Sequence, residues 1–130
     1  MAITYQDILS FAKDSMNRED EVGYRNAISR AYYAVYHRAY PSMKYGPNNS
    51  HQGLIDYLVQ ADTSEREAYD RKDLLALSYA LQSMKGMRVI ADYNLDHGNM
   101  TMINAQISIA TGEKTIKRLL GMEATRKICS

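Results

Sequence analysis

The sequence has few of the residues on which covalent and metal chemistry depend. Its only cysteine, Cys129, stands next to the C-terminal residue, so no internal disulfide can form and a nucleophilic role is disfavoured. The three histidines, His37, His51 and His97, lie on separate predicted elements, and none belongs to an H-E-x-x-H or Cys-x-x-Cys pattern. We therefore expect neither a metal site nor a cofactor.

Other absences narrow the class of protein. The chain has no Walker A, G-x-G-x-x-G or G-x-S-x-G motif, which argues against phosphate-binding loops and serine-hydrolase elbows. No apolar run approaches the roughly 20 residues of a membrane span, and the N-terminus does not have the pattern of a signal peptide. The formal net charge is +1, so nucleic-acid binding would need a local patch or a surface formed by oligomerisation. We expect a cytoplasmic protein that does not contact membranes.

The sequence is rich in tyrosine, with 11 Tyr against one Phe and no Trp. A tyrosine ring contributes apolar area, but its hydroxyl needs a hydrogen-bond partner when it is buried. A core built from such rings is partly polar, or its edge is shared with another chain.

Apolar spacing and capping residues predict an all-α fold. Helices are expected at about 5–16, 21–40, 72–93 and 99–120, with a short additional helix capped by Ser50 and a further cap at Ser64. For the last helix the expected buried stripe is Met102, Ile109, Ile116 and Leu120, with Gln106 on the same side. These elements predict an antiparallel bundle of four main helices in one domain, 1–130, with a core at about 4–120 and a C-terminal tail at 121–130.

The segment from Tyr24 to His37 predicts a helix with two different faces. One face is apolar, and the other carries Asn26, Arg30, Tyr33 and His37. Arginine can stabilise a phosphate, and histidine can act as a general acid or base near neutral pH. A solvated polar face would show the same spacing, so both interpretations stay open.

Arg88 is the second candidate, because it continues an apolar stripe. Helical spacing leads to it from Leu74, Leu77, Leu81 and Met84. A guanidinium on an inward face is costly unless it is paired or lies at a wet interface. Asp92, one turn later, can pair with it. Arg88 then has a functional or interface role, or it reaches solvent beyond the end of the core.

Three segments, in order, resemble a known family. Residues 25–37 resemble the "R-x-A-x-S-R-A-Y-Y-A-x-x-H" helix of small prokaryotic HEPN (higher eukaryotes and prokaryotes nucleotide-binding) proteins. Residues 50–55 resemble the family's "S/T-H-x-G-h-I" segment, and residues 88–93 resemble its "R-x-x-A-D-Y" helix end. The similarity covers about Tyr5 to Leu120.

The resemblance implies a compact helical bundle that forms a homodimer. Many relatives are metal-independent ribonucleases of toxin–antitoxin, CRISPR-linked or phage-defence systems, and some pair with a nucleotidyltransferase. In the nuclease branch an Arg and a His, separated by four to six residues, lie on a late helix at the dimer cleft, where the RNA 2′-hydroxyl attacks its own phosphate. In this chain Arg88 matches the Arg, and Tyr93 stands in the place of the His.

Two main hypotheses follow. In the first, the chain is a dimeric ribonuclease or toxin-like effector. Its catalytic residues would be Arg30, His37, Arg88 and Tyr93, and RNA or a nucleotide would be bound by Asn26, Arg30, Tyr33 and Arg88. Asp92 and His51 would have supporting roles. In the second, it is a non-catalytic module that binds a nucleotide, RNA, a nucleotidyltransferase or another defence-system protein as an accessory subunit. A purely structural dimer is a third option. The sequence does not decide whether the chain is an enzyme.

Overall fold

The computed structural model describes residues 3–96 and 100–126, and all regular structure within these ranges is helical. The described residues form six α-helices and one 3-10 turn (Tyr40–Ser42): α1 Tyr5–Met16, α2 Glu21–Ala39, α3 His51–Leu58, α4 Thr63–Glu67, α5 Arg71–Tyr93 and α6 Met102–Ala124. The prediction of an all-α fold is confirmed. Within the same ranges, no helix combines the length and apolar character needed to cross a membrane.

Local interactions explain where the helices begin. At the start of α1, Thr4 Oγ1 accepts from the Asp7 backbone at 3.3 Å, and the Asp7 carboxylate accepts from the Thr4 backbone at 2.8 Å. This reciprocal capping box satisfies two donors that the first turn of a helix leaves free. Ser50 caps α3 through the backbone of Gly53 at 2.9 Å, as predicted. Both starts could be predicted because their signals are local.

The structure corrects the predicted end and buried face of α6. The helix runs on to Ala124 instead of ending at Leu120, because Leu119 and Met122 lie in the core, and part of the predicted tail is therefore helical. Met102 and Leu120 of the predicted stripe, and Gln106 on the same side, are exposed. Ile109 and Ile116 are buried, as predicted, and the rest of the buried face consists of Ala105, Ser108, Gly112, Thr115, Leu119 and Met122. A search for large apolar residues finds only part of this face because half of its eight members are small or polar: Ala105, Ser108, Gly112 and Thr115.

The chain between α2 and α5 forms two short helices where one was expected. The N-cap of α4 is Asp62, so the predicted cap at Ser64 is wrong. The Ser64 hydroxyl donates instead to the Tyr69 carbonyl at 2.5 Å, across the turn that follows α4. Ala68 in this turn has a left-handed backbone, with φ 61°, which redirects the chain into α5.

Helix α2 is the central element, since it packs against α1, α5 and α6. Its apolar face is fully buried and includes Ile28, Tyr32 and Val35. Helix α3 packs against α5 and so carries its first residue, His51, to the aromatic side chains of α2. Helices α2, α3 and α5 together position the candidate site.

Candidate functional site

Tyr33, on the partly exposed side of α2, is the centre of a cluster of cationic and aromatic side chains. The Arg30 guanidinium carbon lies 4.6 Å from the centroid of the Tyr33 ring, and that of Arg88 lies 5.4 Å from it. The Arg88 Nη1 also donates to the Tyr33 hydroxyl at 3.2 Å. The ring attracts each cation, but the two like charges repel each other. An anion bound between them would relieve that repulsion.

Arg88 is buried and only partly neutralised. Its side chain is 10% exposed, and its Nη1 lies 3.6 Å from Asp92 Oδ2, which is too long for a hydrogen bond. Asp92 accepts from the Ser29 hydroxyl at 3.1 Å, and Ser29 accepts from Arg30 Nη2 at 3.4 Å. Within the described part of the chain, the Nε atoms of Arg30 and Arg88 are buried without a hydrogen-bond partner. Both guanidinium groups therefore have unmet hydrogen-bonding capacity.

Tyr93 contacts the same cation from the end of α5. Its ring centroid lies 5.9 Å from the Arg88 guanidinium carbon, and the residue is 74% exposed. The structure therefore places Asp92 beside Arg88, as the spacing of one helical turn predicts, and also brings Tyr93 and, from α2, Tyr33 to the same cation.

His51 joins the cluster from α3. Its Nδ1 lies 2.7 Å from the Tyr32 hydroxyl, and its ring stacks on Tyr36 with centroids 3.8 Å apart. The centroid of the Tyr33 ring lies 5.7 Å from that of His51. The sequence predicts only a supporting role for His51, because no local pattern indicates that α3 packs beside α2.

The surroundings of His51 keep its imidazole neutral. Burial lowers the pKa of His51, and the positive charges of Arg88 and Lys85, together with His37, lower it further. Since the ordinary value is about 6.5, the ring is predominantly neutral at pH 7. Burial also raises the pKa of Tyr32, so the hydroxyl that faces His51 stays protonated.

His37 lies one turn beyond Tyr33, on the exposed side of α2. Its ring centroid is 6.4 Å from that of Tyr33 and 5.9 Å from that of Tyr40. It also borders a cavity of about 470 Å³ between α2 and the first turn of α1. Arg30 and His37 thus flank Tyr33 on one surface, and Arg88 and His51 approach the same ring from α5 and α3.

Asn26 occupies a different surface from the rest of its predicted face. Its Nδ2 donates to the Ser15 hydroxyl of α1 at 2.7 Å, and it lines a groove with Phe11 and Arg18. The structure therefore ties the Asn26 amide to α1, whereas Arg30, Tyr33 and His37 share the cluster.

Arg25 has a structural role that the sequence does not reveal. Its Nη1 donates to carbonyl oxygens at the end of α5, at distances of 3.1–3.2 Å: Ile90, Ala91 and Asn94. The last carbonyls of a helix lack partners within it and attract positive charge. Arg25 thereby holds the end of α5 against α2, which sets the position of Arg88 and Asp92.

A second polar cluster surrounds Glu67, which is fully buried. Its carboxylate accepts from the backbone nitrogens of Lys44 and Tyr45 at 2.7 and 2.8 Å, and from the Tyr57 hydroxyl at 2.5 Å. Arg126 Nη2 donates to the same carboxylate at 3.2 Å. These contacts join α4 to the loop after α2, to α3 and to the residues that follow α6.

In residues 3–96 and 100–126, no group of three or more His, Cys, Asp or Glu side chains is arranged to hold a metal ion. His97 and Cys129 lie outside the described residues. Comparison of the chain with protein-family models, with curated proteins and with solved structures found no match.

Proposed function

We propose that the chain is a dimeric, cytoplasmic ribonuclease of the HEPN type, which cleaves RNA without a metal ion as a toxin-like effector of a defence or toxin–antitoxin system. One observation carries the proposal: the guanidinium groups of Arg30 and Arg88 converge on Tyr33 beside the neutral imidazole of His51. The resemblance of three segments to HEPN proteins supports the same function.

The two guanidinium groups are suited to an RNA phosphate. Each is a planar set of N–H donors that matches two phosphate oxygens, and a hydrogen bond to a charged group contributes about 1.5–3 kcal/mol. Arg88 forms an ion pair with Asp92 at 3.6 Å without a hydrogen bond between them, and this loose pairing leaves guanidinium donors for a second anion. The same donors would stabilise the additional negative charge that develops on the non-bridging phosphate oxygens in the transition state.

The two histidines supply the proton transfers. His51 takes the proton of the RNA 2′-hydroxyl through Nε2, which requires its Nδ1–H to donate to the Tyr32 hydroxyl. The 2′-oxygen then attacks phosphorus, and the bond from phosphorus to the 5′-oxygen breaks. His37, in its protonated form, gives a proton to the departing 5′-oxygen. The products are a 2′,3′-cyclic phosphate and a 5′-hydroxyl.

A second copy of the chain is the proposed partner of the outer face of α5. This face carries an uncharged row of outward-facing residues: Leu75, Tyr79, Gln82, Gly86, Val89 and Tyr93. The row extends over about 27 Å of helix, and its exposed leucine, valine and two tyrosines provide apolar surface of the kind found at interfaces. Because Tyr93 contacts Arg88, such a dimer would place both clusters beside the interface.

An RNA cleavage assay in the presence of EDTA, which removes metal ions, tests this proposal. We expect the purified protein to convert RNA into fragments with 2′,3′-cyclic phosphate ends, identified by mass spectrometry. Arg30→Ala, Arg88→Ala and His51→Gln should each lower the rate by at least about 100-fold, the contribution typical of a proton-transfer or oxyanion-stabilising group. Lys72→Ala, an exposed change at the start of α5, is the matched control. Unchanged cleavage by the three folded variants would exclude this site.

The second candidate function is a non-catalytic module that binds RNA, a nucleotide, a nucleotidyltransferase or another defence-system protein as an accessory subunit. It is favoured by the 10% exposure of the Arg88 side chain and by Tyr93 in the place of the family's His. It predicts that RNA binding, measured by fluorescence anisotropy, depends on Arg30 although the wild-type protein cleaves nothing.

A further inference from the structure

The cavity beside His37 differs in character from the cationic cluster. Its volume is about 470 Å³, within the usual range of about 300–1,000 Å³ for small-molecule sites. Among the residues that the structure describes, its lining has no acidic side chain, lysine or arginine: Ile3, Thr4, Tyr5, Gln6, Ile8, His37 and Tyr40. Such a lining suits a neutral, flat ring better than a phosphate.

A row of aromatic rings connects this cavity to the cluster. Tyr40 stacks on Tyr36 with centroids 5.3 Å apart, and Tyr36 stacks on His51 at 3.8 Å. The His37 ring stands edge-on to Tyr40 at the wall of the cavity, with an interplanar angle of 69°. Aromatic side chains arranged beside bound phosphates are the platforms on which unpaired bases stack.

Gln6 brings a hydrogen-bonding group to the same cavity. It is exposed on the first turn of α1 and lines the cavity together with His37 and Tyr40. A carboxamide both donates and accepts, so it can pair with the edge of a nucleobase.

We propose that this cavity binds one unpaired nucleobase of the RNA strand whose phosphate is held by Arg30 and Arg88. The assignment rests on the proposed function and adds a specificity site to it. The arginines bind the backbone regardless of sequence, while Tyr40 stacks on the base and Gln6 reads its edge. A base already paired in a duplex would not enter, so the site selects single-stranded RNA.

A 2′-O-methyl tetraribonucleotide tests the proposal without cleavage, because its attacking hydroxyl is blocked. Fluorescence anisotropy compares the affinity of the wild-type full chain for the intact oligomer and for four oligomers that each lack one base. We expect removal of the base that occupies the cavity to weaken binding about tenfold. Equal affinity for all five oligomers would overturn the proposal.

Two variants examine the walls of the cavity. Tyr40→Leu keeps apolar packing but removes the ring, and should weaken binding of the intact oligomer about tenfold without further weakening that of the oligomer missing the bound base. Gln6→Ala, an exposed change, should reduce the difference in affinity between adenine- and uracil-containing oligomers. Tyr45→Leu, in the exposed loop after α2, is the matched control. If Tyr40→Leu does not fold, Gln6→Ala and the abasic series decide: an unchanged base preference in Gln6→Ala together with equal affinity across the abasic series would contradict the proposal.

Arg30→Ala separates this proposal from the proposed function. Weaker binding of every oligomer, with the abasic difference retained, supports both sites. If Arg30→Ala has no effect but base removal does, the cavity binds a base and the phosphate site is wrong. If only Arg30→Ala weakens binding, the phosphate site stands and the cavity proposal fails.

Discussion

The clusters around Glu67 and Tyr33 both combine buried charge with tyrosine, yet they differ in how completely the charge is paired. The Glu67 carboxylate accepts from two backbone nitrogens, one phenol and one guanidinium. Around Tyr33, two guanidinium Nε atoms have no partner within the described residues, and the nearest carboxylate to Arg88 lies 3.6 Å away. We call a cluster saturated when its buried charged groups have all their hydrogen-bond partners, and unsaturated when they do not. Since unpaired buried donors cost free energy, a saturated cluster stabilises the fold, whereas in an unsaturated cluster the charge of the guanidinium groups is left for a ligand to neutralise.

The largest expected effect comes from removing the carboxylate at the centre of the saturated cluster. Glu67→Ala should lower the free energy of unfolding by about 3 kcal/mol, because it leaves Arg126 and two backbone donors without their buried acceptor. Burial and the hydrogen bond to Glu67 raise the pKa of Tyr57 to about 12, so its phenol is protonated at neutral pH. In the Glu67→Ala variant this phenol also loses its hydrogen-bond acceptor. Urea unfolding at pH 7 measures the change.

Glu65→Ala, an exposed change on the same helix, is the control and should leave stability within about 0.5 kcal/mol. If the Glu67→Ala protein were as stable as this control, complete hydrogen bonding of the buried carboxylate would not indicate a contribution to stability.

Removing a cation from the unsaturated cluster should have little effect on stability and a large effect on RNA binding. Arg30→Gln is expected to change the free energy of unfolding by less than about 1 kcal/mol, because among the described residues Arg30 makes a single hydrogen bond, to Ser29. RNA affinity should fall about tenfold, as expected for the loss of one charged contact to phosphate. Thermal unfolding and fluorescence anisotropy measure the two effects, with Lys72→Gln as the control.

If Arg30→Gln destabilised the protein as strongly as Glu67→Ala, the contrast between the two clusters would fail. In that case Arg30 would be a structural residue whose unmet donor reflects packing alone.

The smallest expected effect is the pH dependence contributed by His51. Its pKa is lowered in the folded state, so below about pH 6.5 the unfolded chain binds a proton that the folded one resists. Stability should therefore fall as the pH drops from 6.5 toward the folded-state pKa and be unaffected by this group above 6.5. His51→Gln should remove that slope in urea unfolding measured from pH 5 to 7.5. An unchanged slope in the variant would assign the pH dependence to other groups.

Much of the site was predictable because it lies on one helix. Arg30, Tyr33 and His37 share a face of α2 through helical spacing alone, and Arg88 interrupts an apolar stripe whose burial follows from its composition. The role of His51 was not predictable, since its contacts with Tyr32 and Tyr36 join residues on two helices. Asn26 has the spacing of its neighbours, but a hydrogen bond to Ser15 takes its amide to α1. Membership of the HEPN family stays a prediction.

The sequence by itself determined the all-α class, the capped starts of α1 and α3, and the polar side of α2, because helical periodicity and capping depend on residues a few positions apart. Only the tertiary structure decided which cations converge, since Arg88 reaches Tyr33 through the packing of α5 on α2. It also decided the neutral state of His51, because burial and neighbouring charge depend on residues distant in the chain. The same packing completes the bonds of Glu67 and leaves those of Arg30 and Arg88 incomplete.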